Sequence, residues 1–194
     1  MGSADDVVKF WLDEVGPEGW YKQDDALDAT IRGQFEGLWH DALAGRCARW
    51  LTEARGTLGY IILLDQFSRN MFRGEDRAFE TDRLARAASK KAIQHGWDLR
   101  VAEPERQFVY MPLVHSENLY DQDRAVRLMK ERMPQTGAGQ LLHARVHRDV
   151  IRRFGRFPFR NTALGRKTTA AEAQFMDEGG YGAAVLAYEA EVAG

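Results

Sequence analysis

The chain has a single cysteine, Cys47, in 194 residues. That excludes an internal disulfide and any zinc site built on paired cysteines, and it suits a reducing compartment. Long apolar runs are also missing. The longest, Leu58 to Leu64, falls far short of the ~20 residues that cross a bilayer. The leading residues Met1-Gly2-Ser3-Ala4-Asp5-Asp6 lack the basic and apolar regions of a secretory signal, and position 6 is Asp where a myristoylation signal wants Ser or Thr. Neither charge is in excess, with 27 Lys+Arg against 29 Asp+Glu, so nothing global draws the protein to nucleic acid or an anionic membrane. The expectation is a cytoplasmic protein with no nucleic-acid or membrane partner. Alternating β-branched runs are absent too, which removes strands as a competing reading.

What is present is helical periodicity almost throughout. Ser3 is placed to cap a first helix with a Val7, Val8, Trp11, Leu12 stripe. Pro17 and Gly19 then mark a loop. A second helix from near Asp24 carries Leu27, Ile31, Phe35, Leu38 and Ala42, and Gly45 ends it. Further helices are predicted over 57–70, 76–95, from Pro104 as first helical residue through His115, over 121–133 and over 140–154. The capping-box pattern Thr169-x-x-Glu172 opens an eighth, which fades at Gly179-Gly180. The fold class expected is therefore all-α, about eight helices in antiparallel pairs. It forms one domain over 1–182, with 183–194 a tail that docks weakly as a helix.

Several polar groups sit on faces that ought to be buried. On the 140–154 helix a 100° step per residue places His143 and His147 in the same half of the wheel as Leu142, Val146, Val150 and Ile151. The 57–70 helix is apolar nearly all round, yet carries Asp65 and Arg69 one turn apart. Charges in a core are costly unless paired, so Asp65 is expected to pair with Arg69 or with an arginine of 148–160. His115, Ser116 and Glu117 follow the apolar stretch Phe108 to Val114, in a helix that Pro112 should kink. From His147 to Lys167 seven basic residues, Arg156 and Arg160 among them, face one acid and interleave with Phe154, Phe157 and Phe159. Guanidinium forks of this kind suit carboxylate and phosphate.

These stretches resemble a known family. Leu-Asp-Gln-Phe-Ser-Arg-Asn-Met-Phe-Arg-Gly at 64–74, His-Ser-Glu at 115–117 and His-Arg-Asp-Val-Ile-Arg-Arg-Phe-Gly-Arg-Phe-Pro-Phe-Arg-Asn at 147–161 closely resemble the bacterial domain of unknown function 924. The resemblance runs from about Val7 to Gly182 and implies an all-helical fold of the tetratricopeptide-like superhelical class. It implies no activity. Two positions depart from the family pattern: Ser68 stands where Pro is frequent, and Phe159 where His is frequent.

Three functional readings compete with a purely structural role for these groups. The first is a pocket for a small anion, carboxylate or phosphate, formed by Asp65, Arg69, His115, Glu117, His147, Arg156 and Arg160. The second is a hydrolase or transferase with His147 or His115 as general base. The third is a protein-interaction module without catalysis. No metal or other cofactor is expected. His143-x3-His147 has helical ligand spacing, and Glu117 or Asp65 would add an oxygen, but the Glu of an H-E-x-x-H motif is missing.

Overall fold

A computed structural model describes residues 2–193; Met1 and Gly194, the first residue of the leader and the last of the expected tail, lie outside them. Among the described residues there is no strand, and nine main helices account for the fold, close to the eight expected. In chain order they are α1 (Ala4–Lys9), α2 (Asp25–Leu43), α3 (Ala54–Ile61), α4 (Asp82–Gln94), α5 (Gln107–Val114), α6 (Leu119–Arg132), α7 (Ala138–Phe154), α8 (Ala170–Asp177) and α9 (Gly180–Ala193). None is long and apolar enough to cross a membrane. Two compact units divide between Pro112 and Leu113, inside α5.

The first unit is built on two helices that widen partway along. The Ser3–Asp6 capping box starts α1, which continues as a π-helical stretch, Phe10–Val15. In the same way α3 continues as a π-helical stretch, Ile62–Phe67, before closing as an α-turn at Ser68–Met71. Phe67 packs against Phe10, Trp11 and Phe35 with ring centroids 5.9, 5.4 and 4.9 Å apart. Gly59 lets the backbones of α3 and α1 approach, since a Cβ there would lie 2.7 Å from the carbonyl of Ala4. Ser68, the departure from the family's proline, is fully buried. Its hydroxyl donates to Leu64 O (2.9 Å) or to Thr81 (2.9 Å) and accepts from the Trp39 indole (2.8 Å).

Three boundaries differ from those the sequence suggests. The Pro17–Gly19 region is a short helical turn, Gly16–Gly19, entered through Gly16 at φ 64°. The 76–95 helix breaks at Thr81, whose buried hydroxyl bonds Leu64 O at 2.7 Å. Pro104 does not open α5. It lies in the preceding turn, where its carbonyl accepts from the Gln107 amide at 3.2 Å, and the helix begins at Gln107.

The second unit pairs α6 with α7 through the short Met133–Gly137 connection, and α9 packs on α7 and α8. Asn118 caps α6, and the Thr169–Glu172 capping box starts α8 as expected. Gly155, at φ 70°, ends α7 and turns the chain into a loop that runs to Thr169. The expected tail is part of α9, with Tyr181, Ala184 and Tyr188 half-buried.

Candidate functional site

Of the sequence-predicted residues, Asp65 and Arg69 belong to the first unit and His115, Glu117, His147, Arg156 and Arg160 to the second. The first two meet. Asp65 is fully buried, and Arg69 reaches it with Nη1 at 3.2 Å from Oδ1 and 2.7 Å from its own-chain carbonyl. The same guanidinium donates through Nη2 to both oxygens of Asp82, at 2.9 and 3.1 Å, and lies 5.8 Å over the Phe79 ring. Arg69 thus contacts two carboxylates, of which Asp65 is fully buried.

The second unit gathers His115, Glu117, His147 and Arg160, with His143 and Tyr181 beside them. The His115 and His147 rings lie 6.3 Å apart, and His147 stands edge-on to Phe157 at 5.4 Å. Arg160 is buried, 6% exposed, with its guanidinium 4.5 Å over the Phe157 ring. Two polar devices hold this arrangement. Gln122 Nε2 donates to the carbonyls of Val114 and Ser116, both at 2.6 Å, fixing the turn that carries His115 and Glu117. Glu117 in turn anchors the 156–166 loop. It accepts from the Phe157 amide at 2.8 Å and from Arg166 Nη1 and Nη2 at 2.7 and 3.0 Å. Arg166 also donates to Phe157 O (2.9 Å) and Asn161 Oδ1 (3.0 Å), which leaves Arg160 anchored on both sides by bonded loop.

The third arginine of the predicted set stands elsewhere. Arg156 grips Glu172, Nε to Oε1 at 2.5 Å and Nη2 to Oε2 at 2.8 Å, and reaches Lys167 O at 2.8 Å. It joins the loop to the start of α8. Arg148 and Arg152 face Asp123 and Asp149 between α6 and α7. Most of the basic stretch is therefore committed to carboxylates.

His143 corrects the wheel. It is exposed, because half a wheel is wider than the stripe α7 actually buries, and Tyr181 of α9 lies against its edge position. The rings of His143 and Tyr181 stack at 6.0 Å, with Nδ1 and the hydroxyl 2.7 Å apart. His147 is half-buried, and its Nδ1 lies 2.8 Å from the carbonyl of His143 and 3.1 Å from the Tyr181 hydroxyl.

Burial and charged neighbours shift the titration of three of these groups. Burial, then the neighbouring His115 and Arg160, push the His147 imidazole down from its ordinary value to about 3, so it is neutral at physiological pH. Burial alone would raise the Glu117 carboxyl, but the bonds from Arg166 and the Phe157 amide, together with the Arg160 charge, hold it below the usual carboxylate range. Burial drives the Tyr181 phenol well above its usual value, so it remains a protonated hydroxyl.

Arg166, Gln122 and Tyr181 escaped the sequence reading. Arg166 stood in the basic stretch without a mark to distinguish it, and Tyr181 lies past two glycines where the pattern faded. A groove of the second unit, about 140 Å³, is lined mainly by apolar residues of α7, α8 and α9, including Val150, Phe154 and Phe175, with Asp149 and Arg153 among them. It contains none of the predicted site residues. Among the described residues no group of three or more His, Cys, Asp or Glu side chains could hold a metal ion.

Fold and site together define an all-helical protein whose second unit carries a buried arginine beside paired histidines. The chain belongs to the family of bacterial proteins of unknown function DUF924, whose model matches residues 7–180. It is similar to a solved protein of unknown function from Agrobacterium tumefaciens, at 40% identity and TM-score 0.85, over 90% of this chain and 97% of that one. No curated protein matches it.

Proposed function

We propose that the second unit binds a small anionic molecule, a carboxylate or phosphate, through Arg160 with His115 and His147 at its side. One observation supports this above the others. A guanidinium only 6% exposed lies near an imidazole whose proton affinity burial and the neighbouring His115 and Arg160 depress, so anion-compatible groups are gathered in a poorly solvated place. Glu117, an acid of the same unit, takes bonds on both oxygens from Arg166 and the Phe157 amide. Arg69 belongs to the first unit, and Arg156 joins the loop to α8, so neither is counted in this set.

Binding is favoured over hydrolysis or group transfer. An imidazole that takes a proton only near pH 3 is a weak general base at neutral pH, far from the matched value such a base needs. A second reading, a protein-interaction module, draws on the α6–α7 helical hairpin, which suits the tetratricopeptide-like arrangement implied by the resemblance. We take the compartment to be the cytoplasm, because the lone thiol, Cys47, is free and buried.

The test is a thermal-shift series with inorganic phosphate and acetate against chloride at matched ionic strength. A ligand at ~100 times its dissociation constant should stabilise the fold by about 2.7 kcal/mol. The response should weaken in Arg160→Lys and persist in Arg156→Ala. If neither anion exceeds chloride, the anion site is refuted.

A further inference from the structure

The groove of α7, α8 and α9 is apolar within and basic at its exposed rim. Val146, Val150 and Phe154, spaced one turn apart on α7, line it together with Phe175 of α8 and Ala184 of α9. Arg153, exposed on α7, lines it too. Its guanidinium carbon lies 4.8 Å from the Phe154 ring centroid and 5.7 Å from that of Phe175. Such stacking occupies the flat face of the group and leaves its N–H donors, which lie in the plane, able to reach outward. Among the described residues Arg153 takes part in no hydrogen bond or ion pair, unlike Arg148, Arg152, Arg156 and Arg166 around it. Asp149, one turn before it, also faces the groove, but its Oδ1 already lies 3.5 Å from Arg148 Nε and 3.4 Å from Arg152 Nη1.

We propose that this groove is a second binding site, separate from that of Arg160, and that it takes a small aromatic carboxylate. The ring lies among the apolar side chains, and the carboxylate meets Arg153. Size argues for a single ring. The groove holds about 140 Å³, and an apolar cavity of about 150 Å³ takes one benzene molecule. A helix, about 10 Å across with its side chains, has no room in it. Charge argues for the anion, because a fork of donors suits a carboxylate and the acid that lines the groove is engaged by two other arginines. A neutral ring forfeits the charge contact, and acetate forfeits the apolar one.

Methyl NMR of protein labelled at valine and alanine tests this. Benzoate should shift the methyl resonances of Val146, Val150 and Ala184 through its ring current. Shifts confined to other methyls, or none at all, overturn the proposal. Titrating those three resonances reads the affinity of this groove alone, whatever binds at Arg160. Benzamide, with the ring but no charge, should bind roughly fivefold more weakly than benzoate, the worth of a solvent-exposed ion pair. Acetate, without the ring, should bind roughly tenfold more weakly. Arg153→Gln should remove the difference between benzoate and benzamide, and Ala184→Phe, which fills the groove, should abolish binding of both. Benzoate and benzamide of equal affinity in wild type overturn the proposal, as does a preference for benzoate that survives in Arg153→Gln. Should Ala184→Phe fail to fold, the methyl map and Arg153→Gln still decide the matter.

Discussion

Arg166 holds Glu117 in a two-point grip, Nη1 to Oε2 at 2.7 Å and Nη2 to Oε1 at 3.0 Å, across 49 residues of chain. The pair is partly shielded, with side chains 21% and 28% exposed. Its work is positional: the same carboxylate receives the Phe157 amide, so one residue fixes the loop on which Arg160 sits. Glu117→Gln should lower stability by roughly 1–3 kcal/mol, below the full cost of breaking a deeply buried pair. The contribution is also pH-dependent. A carboxyl held below its ordinary value binds fewer protons folded than unfolded. Its stabilisation is present above about pH 4.5 and lost as pH falls through the lowered folded value. Urea denaturation of wild type and Glu117→Gln should therefore converge at low pH. A constant gap between them would separate Glu117 from the ion pair.

His147 gives a dependence of the same sign over a different window. Its folded value near 3 lies below the ordinary 6.5, so the unfolded chain binds the extra proton between those limits. Above pH 6.5 the residue contributes nothing to pH dependence. As pH falls from 6.5 the fold loses stability, on the order of 2 kcal/mol by pH 5. This window opens before that of Glu117, so the two separate in a pH series. His147→Gln should flatten the wild-type slope between pH 6.5 and 5. An NMR titration showing His147 protonated with a midpoint above 6 would contradict both the burial and the influence of His115 and Arg160.

Sequence and structure agree wherever one local signal suffices. Ser3, Asp24, Thr169 and Gly155 end or start helices as their chemistry dictates, and apolar periodicity finds the helices between them. Asp65 was legible for the same reason, since a charge one turn from Arg69 on a helix without a solvated face leaves few partners. The π-helical widening at Ile62–Phe67 was not legible, because a segment apolar all round has no periodicity in which a changed turn would register. The site was only half legible. His115, Glu117, His147 and Arg160 stand out by polarity in apolar surroundings. Their supports, Arg166 and Tyr181, are ordinary residues whose importance comes from tertiary contacts 49 and 34 residues away in sequence.

Asp65 offers the sharpest stability test of the first unit. It is fully buried, bonded by Gln66 Nε2 at 2.6 Å and by Arg69. Asp65→Ala would leave the Arg69 guanidinium with Asp82 as its remaining carboxylate partner among the contacts above, in a place built for two charges. The expected cost is about 3 kcal/mol or more, toward the range for breaking a buried pair. Equilibrium denaturation in urea measures it directly. A variant as stable as wild type would show that Asp82 alone satisfies Arg69.

Tyr181→Phe isolates the hydroxyl that joins α9 to the histidines of α7. The ring contacts survive the change, including the 4.6 Å approach to His147 and the 6.0 Å stack on His143. Only the oxygen is lost, and with it the bond to His143 Nδ1 and the second acceptor for His147 Nδ1–H. The His143 carbonyl still receives that proton, so the His147 tautomer should be unchanged in the variant. The cost should be about 1 kcal/mol, the net worth of a partly solvated hydrogen bond. Amide exchange should quicken in α9, whose tie to α7 is weakened, more than in α6. Leu186→Ala, on the same helix at 68% exposure, is the control and should leave exchange as it was. If Tyr181→Phe matches that control, the hydroxyl bridge contributes nothing to docking α9. A His147 that switches tautomer in the variant would mean that Tyr181, rather than the carbonyl of His143, decides which nitrogen carries the proton.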